Sequence, residues 1–242
     1  LLPAAAAEKE ADSGAVRVGY YENEVFQEGA KDGEVKTGYA YEYYQKLSEY
    51  TGWHYEYVYG EFGALYRMLL DGEIDFLAGL ARTPDRENLI GYPDAAMGNE
   101  SYNLVRHDTD EEITSDPLTL NGRKIGVLDS AMAEVLQTFL EEHDIRAEVI
   151  RFADYAPLFE AFDLREIDVL AAEGDGAYGR PHAKLLYSFG SSDYYLCVSS
   201  LKPELLAELN RAQTELGINE PNYLHSLRIR YYPVSIGSRT FS

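Results

Sequence analysis

A guanidinium, a carboxylate and a set of aromatic rings are the groups in this chain whose positions could do chemistry. Arg86 ends "TPDR", Glu173 closes "IDVLAAE", and Phe62 opens "FGALYRMLL". A guanidinium holds a carboxylate through two parallel charge-assisted hydrogen bonds, which Lys cannot reproduce. In a charged helix start, the same arginine is equally at home as a surface residue. Glu173 could take an ammonium group, or be one solvated acid among 42. Phe62 shares helical register with Leu65 and Leu69, which suits a core position.

Catalytic patterns are scarce. His54, His107, His143, His182 and His225 are scattered, none at the i, i+4 spacing of a helical metal pair. No nucleophile elbow, P-loop or metalloprotease signature is present. No catalytic residue, metal or cofactor is therefore expected, and the chain reads as a binder rather than an enzyme. "GDGAYG" (Gly174–Gly179) spells G-x-G-x-x-G after an expected strand, but a dinucleotide site needs a helix opening there. Pro181 intrudes and no long helical pattern follows, so a cleft loop fits better. Cys197 is the single cysteine, so no intrachain disulfide can form, and a packed position suits it.

The elements that would position these groups alternate. Val16–Tyr20 is β-rich, and Ala40, Tyr44, Leu47 and Tyr50 recur at helical spacing before Gly52. Trp53–Tyr59 alternates like a strand. Phe62, Leu65 and Leu69 form a helix face closed by Asp71-Gly72, and Ile74–Leu77 is a buried strand. The order restarts after the acidic "HDTDEEITSDPLTLNG": strand "RKIGVL", helix through Ala133, Leu136 and Leu140, strand "AEVIRF", helix "APLFEAF", strand "IDVLAA". "YYLCVS" is a further strand, Pro203–Leu216 a helix, and Pro221 starts a last helix through Tyr231. The phrase "LYRMLLDGEIDFLAG" (Leu65–Gly79) thus returns as "LFEAFDLREIDVLAA" (Leu158–Ala172), the same helix-to-strand step in each of two βαβαβ units. Each unit is expected to have its own mostly parallel sheet, with ligand sites beyond the carboxyl ends of the strands, where Gly79 and Glu173 fall.

Bulk composition narrows the partners. The 242 residues carry a formal charge of −21, which disfavours nucleic acid and anionic lipid surfaces. No apolar run reaches the roughly 18–20 residues of a membrane span. "LLPAAAAEKEADSG" suits the end of a trimmed secretory signal or signal-anchor, or an Ala-rich linker, and no lipoprotein cysteine is near it.

"VRVGYYENEVF", "GYAYEYYQKLSEYTGWHYEYVYGEF", "LLDGEIDFLAGLARTPDREN", "LNGRKIGVLDSAMAEVLQTFLEE" and "LREIDVLAAEGD", in that order, resemble the family 3 bacterial extracellular solute-binding proteins of the amino-acid-binding type. The Tyr-rich second stretch and the compact "DFLAGLARTPDR" look like the sensory subgroup found on histidine kinases and diguanylate cyclases. The resemblance covers about Val16 to Leu216. It implies a two-lobed α/β fold of the periplasmic-binding-protein type II kind, with hinge strands near Leu104–His107 and Leu196–Ser199. Residues 1–14 would be a signal or linker remnant, 15–105 with 197–242 lobe 1, and 106–196 lobe 2.

The resemblance also implies roles. Arg86 would hold the ligand carboxylate, Phe62 would stack on the ligand, and Tyr21 and Phe26 would add contacts from the loop after the first strand. Gly79 and Ala81 line the same strand end, though Ala81 replaces a Ser or Thr hydroxyl usual in the family. In the second lobe Glu173 would meet the ligand ammonium and helix-end amides around Ser130 the carboxylate, although Ser130-Ala131-Met132 replaces the usual Gly-Ser/Thr-Thr. The expected protein is an extracytoplasmic sensor domain that closes on an amino acid or organic acid and is membrane-tethered, with a signalling domain, in the full-length chain. A binding protein serving an ABC transporter is one alternative. A prephenate- or arogenate-type dehydratase on the same scaffold is another, with Glu173 as its acid.

Overall fold

The structure is a computed structural model that describes residues 14–174 and 180–232. Two compact units form. Among the described residues the first comprises 14–80, 84–95 and 196–231, and the second 81–83, 96–195 and Tyr232. The chain leaves the first unit briefly at 81–83 and again after Ala95, returning after Tyr195, and Leu104–His107 lies within the second unit.

In the first unit β1 (Val16–Tyr20) pairs in parallel with β2 (Tyr55–Tyr59) and β3 (Phe76–Ala81). Helix α1 (Tyr39–Thr51) buries Tyr39, Ala40, Tyr43, Tyr44 and Leu47, and ends where Gly52 takes a left-handed conformation and donates its N–H to Ser48 O. Helix α2 (Phe62–Asp71) buries Leu65 and Leu69 and stops at Gly72 in the same way. The short β4 (Ile90–Gly91) pairs with the end of β9 (Ala183–Ser199). Helix α5 (Pro203–Asn219) starts on a first-turn proline and reaches α1 through Gln213 Nε2, which donates to Tyr43 OH at 2.8 Å. Helix α6 (Tyr223–Tyr231) buries only Leu227.

The second unit is built on β6 (Lys124–Leu128), which pairs in parallel with β7 (Glu148–Phe152) and β8 (Val169–Glu173). β8 pairs antiparallel with β5 (Gly98–His107), and β5 with β9. Helices α3 (Ala131–Glu142) and α4 (Tyr155–Asp163) cover opposite faces. Val169 and Ala171 join the core containing Leu136 of α3, while Leu170 and Ala172 join the core containing Leu158 and Phe162 of α4. Both faces are covered, and that is why "VLAA" is uninterrupted by polar residues.

Three expectations need correction. Separate sheets were expected, but one hydrogen-bonded strand order runs β2-β1-β3-β9-β5-β8-β6-β7. The reason is β9, whose 17 residues belong first to the second unit and then to the first. The strand expected at Ile74–Leu77 is Phe76–Ala81, because Ile74 and Asp75 are spent on the turn into it. "YYLCVS" is only the end of β9, whose first eleven residues mix polar and apolar side chains on half-covered faces.

The repeated phrase builds the same junction twice. Asp75 Oδ2 accepts from Arg17 N at 2.8 Å, and Asp75 N donates to Arg17 O. Asp168 Oδ2 accepts from Lys124 N at 2.8 Å, and Asp168 N donates to Lys124 O. Ile74 and Ile167 are buried over glycines of the neighbouring strand: a Cβ on Gly19 would lie 2.6 Å from Ile74 Cδ1, and one on Gly126 2.4 Å from Ile167 Cδ1.

Candidate functional site

In the first unit, four of the expected residues meet at the carboxyl ends of β1 and β3. Tyr21 donates its hydroxyl to Ala78 O at 3.0 Å, and its ring meets that of Phe62 edge-on, centroids 5.2 Å apart. Phe26 is buried and stacks on Tyr39 at 6.2 Å. Gly79 has φ +85°, and a Cβ there would stand 2.6 Å from Tyr21 Oη and 3.1 Å from Phe26 Cε1. Glycine is therefore required on two counts, backbone conformation and space. Phe62 is half-buried at the start of α2, unlike Leu65 and Leu69 behind it, so the helix keeps its apolar core face and still offers this ring.

Arg86 is half-buried in the turn after β3, where its carbonyl accepts from Leu89 N and Ile90 N. Its guanidinium lies 5.4 Å from the ring centroid of Tyr66, one helical turn beyond Phe62 on α2. It makes no ion pair among the described residues. Ala81 ends β3 and is half-buried. Sequence reasoning missed Tyr66; the i, i+4 spacing from Phe62 was the available signal.

In the second unit Ser130 is the N-cap of α3, its Oγ accepting from Met132 N at 3.3 Å. The acids flanking it are both held by Arg151: Asp129 at 3.1 Å and Glu134 at 2.8 Å. Glu173 closes β8 directly opposite Tyr102 of β5, and Glu100 stands two residues before Tyr102 on the same face. Diagonal neighbours of this kind are within reach of long side chains. A Cβ on Gly174 would be 3.9 Å from Glu100 Oε1.

Burial raises the Glu173 carboxyl, against the effect of a hydrogen bond from the Tyr155 phenol, which favours the charged form. Burial and the neighbouring Glu173 charge push Glu100 up to about 8. Burial, then the Glu173 charge, also raises the Tyr155 phenol. Burial thus holds both carboxyls above the usual carboxylate range. Glu100, Tyr102 and Tyr155 were not anticipated; the alternation of Glu100 and Tyr102 in "NESYNLV" was the signal, masked because only the end of that strand was expected.

Most of "GDGAYG", with Asp175, lies outside the described residues; Gly174 accepts from Asn103 Nδ2 at 3.2 Å. Among the described residues no three His, Cys, Asp or Glu side chains group as a metal site, and no helix is long and apolar enough to cross a membrane.

Comparison with known proteins places the chain. The sequence pattern of the bacterial extracellular solute-binding proteins, family 3, matches residues 16–220, and the chain belongs to that family. No curated protein matches it. Among solved structures, it is similar to the probable amino-acid ABC transporter extracellular-binding protein ytmK from Bacillus subtilis (TM-score 0.75, 15% identity, covering 90% of this chain and 97% of that one). It is similar also to substrate-binding domain 2 of Lactococcus lactis GlnP in its open conformation (0.66, 16%, 91% and 96%). A third is the ancestral amino acid-binding protein AncCDT-1, a precursor of cyclohexadienyl dehydratase (0.66, 17%, 90% and 96%). The fold is the two-lobed α/β fold of type II periplasmic binding proteins.

Proposed function

We propose that this protein is an extracytoplasmic solute-binding domain for a small carboxylate-bearing ligand, an amino acid or close derivative. The observation that carries the reading is Arg86: a half-buried guanidinium, free of ion pairs among the described residues of a strongly acidic chain, resting on Tyr66 beside the Tyr21–Phe62 pair. Such a group is poised for an anion, and the adjoining rings suit the apolar part of the ligand. Tyr21, Phe62 and Gly79 would form the wall with Phe26 behind them, and Ala81 would contribute backbone only. From the second unit Glu173 would take the ligand ammonium and Ser130 the helix-end contact, as the family resemblance implies. A ligand favours whichever state of the protein it binds more tightly, which would give a sensor its signal. The resemblance of the Tyr-rich stretch to the sensory subgroup supports a membrane-tethered sensor; the named transporter-associated structures support a transport component instead.

Isothermal titration with the twenty L-amino acids and common organic acids tests the proposal. One class should bind, and Arg86→Ala should weaken the tightest by tenfold or more. Unchanged affinity in Arg86→Ala would remove the carboxylate from this place.

A second reading has one specific observation behind it. A carboxyl held protonated near neutral pH, as in the Glu100–Glu173 pair, is what a dehydratase uses to protonate a departing hydroxyl. Incubation with prephenate or arogenate, followed by product analysis, decides it: turnover abolished in Glu173→Gln would establish catalysis, and no turnover would leave binding as the activity.

A further inference from the structure

Lys36 has an environment that the proposed ligand contacts do not use. Tyr55, Tyr57 and Tyr59 alternate along β2, so they share one face, and the register sets Tyr20 of β1 opposite Tyr59. The rings of Tyr57 and Tyr59 meet that of Tyr20 edge-on, at 5.2 and 6.3 Å. The Lys36 ammonium lies over all three, 5.7 Å from the Tyr20 centroid, 5.2 Å from Tyr57 and 4.9 Å from Tyr59. Neighbouring Lys31 is exposed and lies 4.0 Å from Glu34, whereas Lys36 is half-buried and makes no ion pair among the described residues. A cation within about 6 Å of a ring centroid is attracted by the ring's quadrupole. Here three rings act on one ammonium.

That ammonium sits at the neck of the loop between β1 and α1. Glu28 N donates to Thr37 O at 2.9 Å and Thr37 N to Glu28 O at 3.3 Å, closing the neck next to Lys36. The Tyr20 hydroxyl, from the same ring cluster, donates to Glu28 O at 2.8 Å. The loop then feeds α1: Tyr39 N donates to Val25 O and Ala40 N to Phe26 O. Gly38, at φ +119°, lets Phe26 O approach to where a Cβ would be 2.5 Å away. Tyr21 and Phe26 both belong to this loop.

We propose that Lys36 is a positioning residue whose ammonium, held over Tyr20, Tyr57 and Tyr59, clamps the neck of the loop and so fixes Tyr21 and Phe26 for the ligand. The claim rests on the reading of Tyr21 and Phe26 as ligand wall. Lys36→Met keeps the length and apolar stem but removes the charge; Lys36→Arg keeps a cation that rings also attract.

Two measurements test it: amide hydrogen exchange at Glu28 and Thr37, and titration with whichever of the twenty L-amino acids binds wild-type protein most tightly. In Lys36→Met, exchange at both amides should speed up and affinity fall by roughly three- to tenfold, the range such contacts supply. The thermal midpoint should fall by no more than a few degrees, the shift a contact of this size carries, and Lys36→Arg should restore both exchange and affinity. Unchanged exchange in Lys36→Met overturns the clamp, as does equal impairment of Met and Arg variants. Faster exchange with unchanged affinity overturns the positioning role. If wild-type protein binds none of the twenty, the ligand reading fails and takes the positioning role with it. The exchange data then still report whether the clamp exists, so the two failures are distinguishable.

Discussion

The two units share a helix-to-strand junction and differ in what they place around it. In both, Glu-Ile-Asp turns the chain, the Ile seats over a strand glycine and the Asp takes the N–H of a residue at the start of the neighbouring strand. In the first unit Asp75 is buried and pairs with Arg17 at 3.1 Å and Lys202 at 3.3 Å. In the second, Asp168 is half-buried and keeps the backbone bond with no ion pair among the described residues. The strand ends diverge further: an aromatic nest with a guanidinium in one, two carboxyls and two phenols in the other. The shared part is therefore the fold's own requirement, and chemistry begins where the sequences of the two units stop matching.

Substitutions at the junctions sharpen that contrast. The largest effect is expected from Asp75→Ala, which strands the part-buried Arg17 N–H and leaves the half-buried Arg17 guanidinium without its carboxylate. A loss of about 3 kcal/mol is expected in urea unfolding. Gly79→Ala should cost about 2 kcal/mol, combining a left-handed backbone with contact against Tyr21 and Phe26. Asp168→Ala should cost about 1 kcal/mol, the worth of one hydrogen bond near solvent. Equal losses at Asp75 and Asp168 would break the comparison.

Acid and base should also separate the two regions. Burial opposes ionisation of Asp75, but hydrogen bonds and charge from Arg17, with Lys202, outweigh it and hold its carboxyl below the usual range. Its contribution is present above the unfolded value, about pH 4, and is lost as pH falls through the lower folded value. Glu100 has the opposite sign. Folding keeps a proton on it from about pH 4.3 up to about 8, so its contribution to stability declines as pH rises through that window. Glu100→Gln should flatten the decline between pH 5 and 8, and a profile identical to wild type would contradict the raised Glu100 carboxyl.

Most of the architecture was legible because periodicity and stops agreed. The α1 face ending at Gly52, the α2 face ending at Gly72 and the alternation in "YEYVY" are local signals that the tertiary structure keeps. The length of β9 was not legible, since a strand serving two units meets different neighbours along its course and loses its pattern. At the candidate site, Tyr21, Phe26, Phe62 and Gly79, which the family resemblance had singled out, lie near one another in the first unit. The Tyr66 platform under Arg86, the Glu100 partner of Glu173 and the ring cluster around Lys36 depend on helix phase and strand register, which exist only once the elements are placed.

The most direct test concerns the fork of the guanidinium. Titrating wild-type protein and Arg86→Lys with the tightest-binding L-amino acid compares two cations at one place, one able to grip a carboxylate with two parallel bonds and one not. At least tenfold weaker binding to the lysine variant is the expected result. Equal affinity for both would show that the carboxylate is held elsewhere.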